Sequence, residues 1–240
     1  MFQKIILAVI VVVVVAGCSS NAAPTMSTPS STTPLKVTPP WKGNEHFEYN
    51  IVKDSDNSAV GTGVVDVQPA GDATTIEQRY QFGQVTQHFI VKVDPQTLKP
   101  IVNTQELTGS PNDYSLTATY AENKLTVTAK TAQGDKSTTI EVAPDAYDND
   151  SLLAILRGLP FTVRTPATFM NVVSANATQI KSTVTISDTE SVTVPAGTFN
   201  TYPVAMNFGG VQKQTVWYEV ADPHRMIKYD NGTTQFVLVK

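Results

Sequence analysis

From Trp41 to Lys240 the apolar residues recur at every second position, and that period restricts the chain to strands with one buried face and one wet face. Phe47, Tyr49 and Ile51 alternate with polar neighbours, as do Ile76, Tyr80 and Phe82, and then Val85, Phe89, Val91 and Val93. The rhythm continues through Tyr114, Leu116, Ala118 and Tyr120, through Leu125, Val127 and Ala129, through Ile180, Val184 and Ile186, and through Val204, Met206 and Phe208. Thr and Val, whose β-branched side chains suit a pleated surface, make up about a quarter of the chain. Turn-forming residues fall between the runs at Gly71-Asp72, Asp94-Pro95, Ala121 to Asn123, Gln133 to Asp135, Pro195 to Gly197 and Gly209-Gly210. Asn231-Gly232 predicts a closing type I′ hairpin.

One segment leaves the pattern. Asp150 to Gly158 carries an Asp/Ser cap, good helix formers and a terminal glycine, so it predicts one short helix. Leu152, Leu153, Ile155 and Leu156 cover too much of its surface for an exposed helix, which places it against a sheet. The expected fold is mainly β: a curved antiparallel sheet, a half-barrel or open barrel of about 12–14 strands, wrapped around that helix in one domain over 41–240.

The N-terminus carries different information. Lys4 precedes an unbroken apolar run from Ile5 to Ala16, too short for a membrane span of about 20 residues but suited to an export signal. Val15-Ala16-Gly17-Cys18 resembles the bacterial lipobox, which implies cleavage after Gly17 and a diacylglycerol on the sulfur of Cys18. Cys18 is the 1 cysteine of the chain, so no internal disulfide or Cys-rich zinc site competes for it. Residues 1–17 are thus read as a lipoprotein signal peptide. Residues 18–40 are read as the lipidated cysteine plus a disordered Ser/Thr/Pro tether, with a reach on the order of 70 Å if fully extended. An acidic chain, with formal charge -4, is a poor match for nucleic acid or anionic lipid, which leaves the acyl chains as the membrane contact. The domain is therefore expected outside the cytoplasm, anchored to the cell membrane or, as Ser19 would suggest in a Gram-negative host, the outer membrane.

Several stretches occur in an order that resembles a family of exported bacterial proteins, the domain of unknown function numbered three-one-zero-eight. They are Gly43 to Tyr49, the small-residue strand Val60 to Gly63, Val93 to Pro100, Ser151 to Pro160, Glu190 to Phe199, and Trp217-Tyr218 followed by Pro223 to Tyr229. The resemblance implies a half-barrel like those of envelope proteins that carry lipids or lipoproteins in an apolar groove. It implies no activity.

Catalytic chemistry finds no foothold. His46, His88 and His224 share no metal-ligand spacing with one another, and no Gly-x-Ser-x-Gly elbow is present. Asp145, Asp148 and Asp150 could form a weak Ca²⁺ site, but acids at a helix start interact favourably with its dipole without any ion, and no metal ligand or cofactor is assigned. Arg157 at the helix end should pair with a carboxylate, Glu190 being one candidate. Phe47, Tyr49, Tyr80, Phe82, Phe89, Tyr114, Tyr120 and Trp217 either line an apolar groove or fill a core, and periodicity does not separate the two. Two readings follow: a non-enzymatic lipoprotein that holds an apolar ligand or lipidated partner in its half-barrel, or an assembly protein that meets envelope proteins through a sheet edge or surface. An elongated cavity would favour the first, a filled interior the second.

Overall fold

The computed structural model describes residues 32–210 and 212–240, with Gln212 described by its backbone alone. The signal peptide, Cys18 and the tether up to Ser31 lie outside the described residues.

The strands in chain order are β1 (Thr33–Pro34), β2 (Glu45–Lys53), β3 (Ala59–Pro69), β4 (Thr74–Phe82), β5 (Val85–Val93), β6 (Pro100–Thr108), β7 (Tyr114–Ala121), β8 (Lys124–Thr131) and β9 (Gly134–Glu141). After these come β10 (Ala146–Asp148), the helix α1 (Leu152–Ile155), β11 (Ala167–Val173), β12 (Thr178–Ile186), β13 (Glu190–Val194), β14 (Gly197–Phe208), β15 (Gln212–Glu219), β16 (Met226–Asp230) and β17 (Thr234–Leu238). They form a single 17-stranded sheet that curves without closing into a barrel. Sequential hairpins carry it from β2 to β9, and the C-terminal strand β17 pairs back onto β2, joining the two halves.

The curved sheet around a short helix matches the sequence expectation, with two corrections. The described strands number 17 rather than about 12–14. β1 and β10 both run parallel to β11, so the sheet is mixed at that edge rather than wholly antiparallel. Strands of two or three residues are too short to show a period in sequence. The turns also hold a correction: Asn231 keeps an ordinary φ and only Gly232 is left-handed, so Asn231–Thr233 is not a type I′ turn. The Asn231 side chain instead accepts from the backbone N–H groups of Thr233 and Thr234. The type I′ signature sits at Glu122-Asn123, where both φ angles are positive.

α1 is extended by single tight turns at Asn149–Ser151 and Leu156–Gly158, so the expected helix spans the right residues with one α-helical turn at its centre. Leu152, Ile155 and Leu156 are fully enclosed with Tyr49, Ile76, Val91, Phe169 and Tyr218 from the surrounding sheet. A second, smaller cluster joins Leu116, Leu125 and Val127 of β7 and β8 to Val172 of β11, drawing the far end of the sheet toward its first strands. The small-residue strand β3 has a steric reason: a Cβ on Gly63 would stand 2.9 Å from the Tyr80 ring, which packs edge-on against Phe236 at 5.3 Å.

Residues 32–40, assigned to the tether by composition, pack on the domain. Thr33 and Leu35 donate to the carbonyls of Pro166 and Thr168, and Leu35 and Trp41 are buried in the main core. Thr38 donates to the Gly158 carbonyl at 3.0 Å, and a Cβ on Gly158 would lie 1.9 Å from the Thr38 oxygen. Gly158→Ala is therefore expected to cost about 1–3 kcal/mol by overpacking and to free residues 32–40. Limited proteolysis followed by mass spectrometry checks this, since unchanged resistance of that segment would contradict the packing.

Candidate functional site

The concave face is the first place to look for a ligand, and its own side chains occupy it. Phe47, Tyr49, Tyr80, Leu153, Arg157 and Met226 surround a space of about 20 Å³, room for about one water. Ligand pockets usually run to about 300–1,000 Å³. The Tyr49 hydroxyl donates to the Met226 carbonyl at 3.1 Å and the Tyr218 hydroxyl to the Leu153 carbonyl at 2.7 Å, so the aromatic residues tie the helix to the sheet. Burial holds both phenols above their ordinary range.

The eight aromatic candidates separate accordingly. Phe47, Tyr49 and Phe89 are buried, Tyr80 packs against Phe89 and Phe236, and Phe82 is half-buried at the end of β4. Tyr114 and Tyr120 serve a polar cluster described below. Trp217 pairs in register with Lys228 on the outer face, where its indole N–H donates to Glu190.

Arg157 does pair with a carboxylate, but the partner is Glu45 and not Glu190. Its guanidinium meets Glu45 in a fork, Nη1 to Oε2 at 2.6 Å and Nη2 to Oε1 at 3.0 Å. The two side chains are 3% and 11% exposed. Nε and Nη2 also donate to the Pro223 carbonyl, Nε to that of His224, and the group lies over the Phe47 ring. Arg157 thus joins the end of the helix, the start of β2 and the turn before β16.

The densest buried polar cluster lies where β10 runs into the helix. Asp148 is fully buried; its Oδ1 accepts from the Asp150 backbone N–H at 2.9 Å and from Asn103 Nδ2 at 3.0 Å. Its Oδ2 accepts from Ser174 at 2.6 Å and from the Tyr120 hydroxyl. Asp150 Oδ2 accepts from the same Asn103 Nδ2 at 2.7 Å and from Gln105 Nε2 at 2.6 Å, while Gln105 receives the Tyr114 hydroxyl. No Lys, Arg or His touches either acid among the described residues, so two carboxylates share a site with neutral donors only. Burial and the neighbouring Asp148 charge push Asp150 up to about 7, and burial raises Asp148 as well. Asp145, grouped with these acids in the sequence reading, is exposed and not among their partners. Sequence reasoning missed Asn103, Gln105 and Ser174, since single amides and hydroxyls in strands carry no pattern that marks them as buried.

The histidines offer no catalytic array. His46 contacts Asp66 and Glu48, His88 contacts Glu77, and His224 Nδ1 donates to the Glu219 carbonyl. No serine or threonine hydroxyl is bonded to any of them among the described residues. On the outer face a groove of about 370 Å³ runs between β13 and the paired residues Trp217, Lys228 and Val237. Among the described residues no helix is long and apolar enough to cross a membrane, and no three His, Cys, Asp or Glu side chains converge on a point.

Comparison with known proteins bears on the whole of this architecture. The pattern of a family described as proteins of unknown function, DUF3108, matches residues 49–239. A crystal structure of a β-barrel-like protein of the domain of unknown function DUF1849, from Brucella abortus, is similar in fold at TM-score 0.56 and 12% identity, covering 86% of this chain and 98% of that one. A protein with a YmcC-like fold from Bacteroides fragilis aligns at TM-score 0.29 and 11% identity, over 85% of this chain and 97% of the other. Among curated proteins none matches. Neither the family nor the similar fold carries a sign of catalysis.

Proposed function

The chain belongs to the DUF3108 family of proteins of unknown function, and from that premise we propose that it is an exported, lipid-anchored domain that binds another envelope protein and performs no catalysis. The observation that carries this reading is the packed concave face, where Leu152, Ile155 and Leu156 of the helix are enclosed against the sheet and the space beside Tyr49, Tyr80 and Arg157 measures about 20 Å³. An acyl chain would have to displace them. Of the two readings the sequence left open, the filled interior favours partner binding over a carried apolar ligand.

The contact surface in this reading is the edge strand β9. It is the last strand of the sheet order, and every residue from Gly134 to Thr139 is exposed. Its outer row of N–H and C=O groups has no strand beside it among the described residues, while Asp135, Lys136 and Glu141 oppose pairing of two copies edge to edge. The anchor reading is supported by the apolar run from Ile5 to Ala16 just before Gly17-Cys18 and by the acidic charge, which gives anionic lipid nothing to attract.

A photo-crosslinking residue placed at Ser137, in cells at native expression, is expected to yield a discrete heavier product that the same residue at Ser58, in the β2–β3 turn, does not yield. Monomer alone from both positions contradicts edge binding. Intact-mass analysis of the protein from the membrane fraction is expected to show a chain that begins at Cys18 and carries diacylglycerol on its sulfur, and an unmodified Cys18 contradicts the acyl anchor.

A further inference from the structure

We propose that the groove beside β13 takes an extended peptide, which adds a strand to β13 and sets a carboxylate on Lys228. This site is separate from the β9 edge and stands without it. β12 and β13 follow one another along the same side of β14, and no strand lies along the other side of β13 among the described residues. Six successive residues, Glu190 to Pro195, line the groove. Successive side chains of a strand point to opposite faces, so what these residues share is the backbone edge. The direction of that edge follows from β14. The Asn200 carbonyl accepts from the Val220 N–H, so Asn200 faces the β15 side, whereas the Pro203 carbonyl accepts from Ser187 on the other side. Alternation along β14 therefore turns Gly197, Phe199 and Thr201 toward β13, where they stand opposite Val194, Val192 and Glu190. The N–H and C=O groups of Ser191 and Thr193 are left facing the groove, and both residues are exposed.

The edge is held in place before any partner arrives. Val194 is buried in the main core, Val192 packs against it, and the Ala196 N–H donates to the Leu238 carbonyl at 3.0 Å. A row of donors and acceptors at the strand repeat matches a second strand, whereas a sugar ring presents no such repeat. The facing wall selects the side chains. Trp217, Lys228 and Val237 stand in one cross-strand row. The Lys228 ammonium lies over the Trp217 ring, 5.0 Å from its centroid, and meets no carboxylate among the described residues. Glu190, the one acid lining the groove, is bonded to the Trp217 indole instead. The cation is thus left to the occupant, which brings Asp or Glu to Lys228 and an apolar side chain to Val237. The volume of about 370 Å³ lies within the usual range for binding sites, about 300–1,000 Å³. The five residues of β13 offer an edge about 16 Å long.

Panning a phage-displayed library of random dodecapeptides on the full chain tests this. Enriched peptides are expected to share an Asp or Glu among β-branched residues. A synthesised one should slow amide exchange at Ser191 and Thr193 at least about tenfold. Lys228→Glu is expected to weaken that peptide at least about tenfold, and replacing the peptide's acid by Lys should restore binding to the variant, a rescue that a misfolded variant would not show. Ser191→Pro removes an N–H that faces the groove and leaves the ladder to β14 intact, so it should abolish the slowing at Thr193. No peptide enriched above the bare support, slowed exchange confined to β9, or binding to Lys228→Glu that ignores the charge of the peptide would overturn the proposal. So would chitotetraose slowing the same amides where peptide does not, the mark of a sugar site. Slowing that grows with protein concentration alone would assign the groove to a second copy and overturn it too.

Discussion

Arg157→Ala is expected to destabilise the domain by about 3–5 kcal/mol, a drop in melting temperature on the order of 10 °C. The loss exceeds that of an ordinary ion pair because the charge of Glu45 remains behind almost out of water, with its fork partner gone. Exposed pairs such as Arg164–Asp188 contribute about 0–1 kcal/mol by comparison. Three backbone hydrogen bonds to the Pro223–His224 turn go with the guanidinium, so the turn before β16 loosens together with the helix end. Glu45→Ala should cost a similar amount, and the double variant should cost less than the two singles combined, because no uncompensated charge is left. Arg157→Lys should rescue little, since one ammonium cannot span both carboxylate oxygens and two carbonyls. Glu190→Ala should change stability by no more than about 0.5 kcal/mol, as Glu190 is exposed and bonded only to the Trp217 indole and through its backbone. Urea unfolding of the parent and the five variants checks the set. A Glu190 variant as unstable as the Glu45 variant would contradict the assignment of the pair.

The second large effect is on pH. Stability should fall as pH rises from about 4 to about 7, by on the order of a few kcal/mol. The Asp150 carboxyl titrates at about 7 in the folded domain, because burial and the Asp148 charge disfavour its ionised form. In the unfolded chain it titrates at about 3.9. Below pH 4 both states hold the proton and the full stability is present; between the two values only the unfolded chain ionises, and stability is lost until the folded value is passed. Asp148, raised by burial, acts in the same direction. The other titratable groups facing the pair are Tyr80 from β4 and Tyr114 and Tyr120 from β7, all pushed upward by burial, with Tyr114 lowest at about 12, so none titrates in this window. Lys99, lowered by burial to about 8, acts only above it. Asp150→Asn should flatten the fall and make the variant more stable than the parent at pH 7.5. Equal slopes for parent and variant between pH 4.5 and 7.5, by chemical denaturation, would contradict a buried, proton-holding acid.

Most of the fold was legible because it rests on local signals. Alternation located the long strands, turn residues located nearly all the breaks, and Asp150 to Gly158 announced α1 by its cap and its apolar excess. Features set by distant residues were not legible. Glu45 lies 112 positions from Arg157, and nothing in either neighbourhood ties the two together. Ser/Thr/Pro composition hid residues 32–40, although Leu35 and Val37 are apolar residues that a free tether does not need. β1 and β10 are too short to show any period, which is why the parallel edge went unseen. Whether the aromatic residues lined a groove or filled a core depended on where the helix lies, and alternation reports the buried face of a strand without reporting what covers it. The buried acids were hidden for a related reason: a helix-capping Asp looks the same in sequence whether it meets water or Asn103.

The central claim, that the curved sheet is filled by its own side chains and works through its surface, is tested most directly by native mass spectrometry. The protein to use is residues 32–240, the compact unit of the fold, exported without its anchor and purified without lipid-stripping detergent. The account predicts the mass of the polypeptide alone. A reproducible additional mass of lipid size, lost on denaturation, would contradict it and return the half-barrel to the role of a carrier.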